Sequence, residues 1–176
     1  MPASPEERHG FVLYRTAYAN DAQWTRFMAY LKHQVQSSLE RENIVGFFDR
    51  IYWKVVNADP DDGTYQIRNG SSPLRHFNTW LNSGEEKVNL RNYSYLACVL
   101  VVQPFLDFVD EWVGAKTLGV DDVWDEHGAT FVEVVPKHEE EGDVLVGISR
   151  LIPRADEFIE MGWECLAVPV GEVALP

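Results

Sequence analysis

Phe11-Val12-Leu13-Tyr14-Arg15-Thr16-Ala17-Tyr18 is the stretch that decides the fold. Its aromatic and β-branched residues predict a strand. Asn20 and Asp21 follow as helix-cap candidates. Trp24, Phe27, Met28, Leu31, Val35 and Leu39 then recur at steps of three and four, the spacing of one helix face. Arg26, Lys32, Gln36 and Glu40 fall on the opposite side, so a helix is expected from 21 to about 41. A strand feeding a long amphipathic helix sets the pattern for the rest of the chain.

Working outward, Arg50 to Ala58 reads as a second strand, with Ile51, Trp53 and Val55 alternating against Tyr52, Lys54 and Val56. Asp59-Pro60-Asp61-Asp62-Gly63 ends it as a turn, and 59–72 reads as a loop. Ser72-Pro73 is a helix start, Leu74, Phe77, Trp80 and Leu81 give that helix its apolar face, and Gly84 stops it. Tyr93 to Gln103 is apolar on both sides and is expected as a central strand. Pro104 opens a short helix with Phe105, Phe108, Val109 and Trp112. Residues 114–128 read as irregular and acidic, Ala129 to Val135 as a fourth strand, and 137–143 as a solvated loop. Val144 to Leu151 and Trp163 to Val170 are further strand candidates, with a helix over 154–161.

The order β-α-β-α-β-α-β predicts an α+β fold: a mostly antiparallel sheet with helices on one face. A ferredoxin-like core of the dimeric α/β-barrel type is the best match. The rival is an α/β parallel sheet. Residues 1–10 are expected as a flexible leader and 11–176 as a single domain.

Composition narrows the function. The 176 residues carry 15 Lys and Arg against 28 Asp and Glu, a formal charge of −13. That field repels phosphate backbones and anionic membranes, so no nucleic-acid or membrane partner is expected. No apolar run reaches the roughly 20 residues of a membrane span. The start lacks the layout of a signal peptide, so a cytoplasmic location is expected and the sequons at Asn69 and Asn92 read as chance. Cys98 and Cys165 make neither a disulfide framework nor a metal pair. The sequence contains no GxGxxG, P-loop, GxSxG or HExxH motif, and no cofactor or metal is expected.

Three acidic stretches have the composition of cation sites. In Asp59–Gly63 the bend glycine comes one place early for a calcium loop, and the twelfth position is Gly70. Asp121-Asp122-Val123-Trp124-Asp125-Glu126-His127 and His138 with Glu139 to Glu141 are contiguous, and read as solvated loops. Of the five histidines, His76 alone is placed to border a core, one turn before Trp80.

Strand alternation offers the candidate site. Each of the first, second and fourth strands has a side without charge and a side with one charge. Setting the uncharged sides under the helices gathers Arg15, Tyr52, Lys54 and Glu133 among Phe11, Leu13 and Phe131. On this reading Arg15 holds an anionic oxygen and Glu133 exchanges a proton, as the catalytic pair. Tyr52, Lys54, Phe11 and Phe131 bind the ligand.

The motif F-x-x-Y-R-T-x-Y over 11–18, with Asp21, Trp24 and Phe27 behind it, resembles a family of small acidic uncharacterised fungal proteins. The resemblance covers about the first 55 residues plus the Val-rich third strand. It implies a fungal, intracellular origin and transfers no functional residue.

Two functions follow as expectations. One is a cofactor-independent enzyme or binder of a small organic molecule, such as a secondary-metabolism isomerase or cyclase, with a homodimer as one arrangement of the site. The other is an interaction module, whose acidic loops at 121–126 and 139–143 steer a basic partner onto the sheet face or onto Trp112 and Trp124.

Overall fold

The structure, a computed structural model, describes residues 9–18, 20–44, 46–57, 71–83, 97–115, 124–137 and 142–152. The chain runs β1 (His9–Arg15), α1 (Asp21–Arg41), β2 (Ile51–Asn57), α2 (Ser71–Ser83), β3 (Ala97–Val101), α3 (Gln103–Ala115), β4 (Phe131–Pro136) and β5 (Val144–Gly147). Outside the described residues lie residues 1–8 of the expected leader, the turn at 59–63 and the sequons at 69 and 92. So do the Gly84 helix stop, the 138–141 run, Cys165, the 154–161 helix and the 163–170 strand.

The five strands form one sheet in the order β2-β1-β3-β4-β5. The α+β class holds, but the sheet is mixed. β1 runs parallel to both β2 and β3, while β4 is antiparallel to β3 and to β5. The expected mostly antiparallel sheet is corrected accordingly. In a ferredoxin-like core the second and third strands are neighbours; here β1 lies between them.

Helices cover both faces, not one. The first crossover, β1-α1-β2, moves one way across the sheet, and β2-α2-β3 returns past β1. Two crossovers of the same hand in opposite directions must carry their helices to opposite faces. Packing agrees. Phe11, Leu13, Val99, Val101, Val132, Val134 and Val146 form one core with Phe27, Leu31 and Val35 of α1 and Leu106 and Val109 of α3. Val12, Tyr14, Cys98, Leu100 and Val135 form a second with Leu74, Phe77 and Leu81 of α2.

Element ends have local causes. The side chain of Asn20 accepts from the N–H groups of Ala22 and Gln23 and fixes the start of α1. β1 starts at His9, inside the stretch expected as leader. Gly10 makes this fit: at φ 149°, an added Cβ would lie 1.9 Å from the Tyr52 carbonyl oxygen. The strand expected over 144–151 stops at Gly147 and turns into a short 3-10 segment at Ile148–Arg150. Among the described residues, no helix is long and apolar enough to cross a membrane.

Candidate functional site

The strand register separates the residues that alternation had grouped. Phe11 is level with Trp53, Leu13 with Val55, and Lys54 with Val12. The side of β1 that carries Arg15 therefore faces α1 and α3, with Phe11 at zero exposure in that core. Lys54 and Tyr52 point to the opposite face. Glu133 shares their face, since it is level with Leu100, which is level with Tyr14. It stands three strands from Lys54, about 14 Å across the sheet. Phe131 is buried against Phe105 and Phe108 of α3, with ring centroids 5.4 and 5.7 Å away. The four polar candidates do not converge.

Arg15 sits on the core side without strain because it ends the strand. Its Nε donates to the Ala17 carbonyl at 2.9 Å and its Nη2 reaches the exposed Asp21 carboxylate. Its guanidinium carbon lies 4.9 Å from the Tyr18 ring centroid and 5.0 Å from that of Trp24. The cation pins the N-terminus of α1 to the end of β1, a positioning task within the chain. Glu133 is half-buried. Burial first, then the neighbouring Asp143, pushes its carboxyl above the ordinary carboxylate range, and burial does the same to Asp143.

A different group does converge. Val12 and Tyr14 of β1 and Lys54 and Val56 of β2 floor a cleft of about 330 Å³. His76, Thr79, Trp80 and Ser83 of α2 wall it. These four stand three, four and seven positions apart, a stripe flanking the Leu74, Phe77 and Leu81 row that α2 buries. The Tyr14 hydroxyl lies 2.7 Å from Nδ1 of His76, and the two rings meet edge-on at 80°. Lys54 Nζ sits 4.0 Å from the Trp80 ring centroid, a cation on an indole face. Hydroxyl, imidazole, ammonium and indole thus line one small volume.

Sequence reasoning brought Lys54 to this face and flagged His76 as bordering a core. It missed Tyr14, which it assigned to an uncharged side and so to plain packing. The available signal was the His76-Thr79-Trp80-Ser83 stripe, polar where a purely buried helix face would be apolar.

The acidic stretch near 125 is also corrected. Asp125 is 1% exposed. Its carboxylate accepts from the Ala129 and Thr130 N–H groups and from the Thr130 hydroxyl, at 2.7 to 2.8 Å. Its own N–H donates to the Gln34 side chain at 3.0 Å, and the Thr130 hydroxyl lies 3.1 Å from that of Tyr30. This is an internal staple between α1 and the segment entering β4, not a wet loop. Trp124 lies half-buried under Arg41, and Trp112 is half-buried against the core. Residues 121–123 and 138–141 lie outside the described residues. Among the described residues, no group of three or more His, Cys, Asp or Glu is placed to hold a metal ion.

Compared with protein-family models, with curated proteins and with solved structures, the chain matches none.

Proposed function

We propose that this chain binds a small organic molecule, without a cofactor, in the cleft between α2 and the β1–β2 face. The observation that carries the reading is the convergence of Tyr14, His76, Lys54 and Trp80 around a volume of about 330 Å³. That size falls at the small end of ligand cavities, and an apolar floor with few polar groups is their usual make-up.

The Tyr14–His76 pair also gives the cleft a proton-exchanging element, because hydroxyl and ring nitrogen each donate or accept. An isomerisation needs no more than a base that takes a proton from one carbon and returns it to another. A cytosolic site of action and a fungal origin belong to the same proposal and rest on the sequence alone. Of the residues that the interaction-module alternative invokes, Asp125 is committed to internal hydrogen bonds and Trp112 and Trp124 are half-buried, while 121–123 and 139–141 lie outside the described residues.

The test is a metabolite panel read by amide chemical-shift mapping on the full chain. A binder should shift Val12, Tyr14, Lys54, Val56 and residues 76–83 together, and Trp80→Ala should remove the effect. Shifts confined elsewhere, or none across the panel, would overturn the reading.

A further inference from the structure

The floor of the cleft is a grid. Val12 and Lys54 share one level of the parallel pair β1–β2, and Tyr14 and Val56 share the next level on that face. Lys54 and Tyr14 therefore occupy one diagonal, and Val12 and Val56 the other. Two positions along a strand and one strand across put the roots of Lys54 and Tyr14 about 8 Å apart. The wall repeats the division: Trp80 stands beside Lys54, and His76, one helical turn away, stands beside Tyr14. The cleft has a cationic pole, a hydrogen-bonding pole, two valines beneath the line between them and an indole at its side.

We infer that the ligand is a flat, conjugated or aromatic carboxylic acid with a hydroxyl or keto group at its far end. This rests on the cleft being the ligand site. The carboxylate meets Lys54, the flat body lies across Val12 and Val56 beside Trp80, and the far oxygen meets the Tyr14–His76 pair. Each part is matched to a chemistry: ammonium to carboxylate, apolar surface and indole to a π-system, and the hydroxyl–imidazole pair to a neutral donor or acceptor. The chain's net charge of −13 repels anions at long range, so a preference for an acid must come from a local cation. Among the residues lining the cleft, Lys54 supplies the ammonium group.

Matched probes test this on the full chain: 4-hydroxyphenylacetate, its amide 4-hydroxyphenylacetamide, and phenylacetate, each titrated by amide shift mapping. The acid should bind about tenfold more tightly than its amide, the size expected for one hydrogen bond to a charged group. Lys54→Met should bring the two within about twofold, and Lys54→Arg should restore the preference. His76→Ala should remove the advantage of 4-hydroxyphenylacetate over phenylacetate. Equal binding of acid and amide in the cleft would overturn the ligand class and leave the cleft standing. So would silence from all three probes while a neutral compound of the wider panel shifts the cleft. Silence from every compound would overturn both.

Discussion

Replacing Asp125 by Ala tests whether the buried staple, rather than a solvated loop, is what this acidic segment contributes. The carboxylate accepts three hydrogen bonds at a site that is 1% exposed. Removing it strands the buried N–H of Thr130 and the half-buried N–H of Ala129. The Thr130 hydroxyl is spared the full loss, because Tyr30 lies 3.1 Å away and can take its proton. Two stranded donors cost about 1–3 kcal/mol each. Relief from burying a charge returns part of that, which leaves a net loss of about 3 kcal/mol. Against a whole-domain stability of about 5–15 kcal/mol this is a large fraction. Asp125→Asn keeps one good acceptor but turns an N–H₂ toward a backbone donor, so its loss should be about 2 kcal/mol. Glu126→Ala, on the exposed neighbour, should fall within about 0.5 kcal/mol of the parent. Urea unfolding read by tryptophan fluorescence measures all three, with the slope checked for constancy. An Asp125→Ala midpoint that matches Glu126→Ala would refute the staple.

Other outcomes follow from the same geometry. Glu133 has a folded-state carboxyl pKa raised above its ordinary 4.5, mainly by burial. Between those two values the folded chain binds more protons than the unfolded one, so stability falls as pH rises through that window. Glu133→Gln should therefore raise the urea midpoint at pH 7 and give no advantage below pH 4.5; the same offset at both pH values would contradict this. Gly10→Ala would drive a methyl into the Tyr52 carbonyl at a φ that side chains avoid, and should cost about 3 kcal/mol or more, read as lost expression or a much lower Tm. Arg15→Met should lower stability by about 1–2 kcal/mol through lost bonds to Ala17 and Asp21, yet leave ligand affinity in the cleft unchanged in titration.

The sequence announced its elements more clearly than their arrangement. α1 lies where the Trp24-to-Leu39 periodicity put it, and the strand cores at 11–15, 51–57 and 131–135 match alternation or apolar runs. Parity within each strand was legible too, because side chains must alternate. What alternation cannot fix is which side of one strand aligns with which side of the next; that is set by register. The expectation that charged sides gather failed at Arg15, since a buried cation at a strand end can be satisfied by its own junction, here the Ala17 carbonyl and the Asp21 carboxylate. Polarity marks a face only at interior positions such as Lys54 and Glu133. Strand direction was hidden for a different reason. A helix of 13 or 21 residues serves a parallel crossover as readily as an antiparallel return, so α1 and α2 alone do not decide between the two. Asp125 was misread because a carboxylate that caps a turn is spelled like one in solvent; its partners are backbone N–H groups, which composition does not reveal.

The position of the cleft follows from coverage. A helix is about 10 Å wide and strands are about 4.8 Å apart, so one helix covers about two strands. α2 packs on one face of a five-stranded sheet. It seats Leu74, Phe77 and Leu81 over β1 and β3, where Val12, Tyr14, Cys98 and Leu100 need shielding on a strand pair flanked from both sides. The flank of α2 then overhangs β2, whose residues are all half-buried or exposed. A polar stripe on that flank and a lysine on that strand are tolerated, because neither is forced into the apolar interior. A residue there is released from packing duty yet held by rigid elements on two sides, the condition under which side chains are positioned for a ligand. Arg15, by contrast, is held by its own junction, and the fold requires it whether or not anything binds.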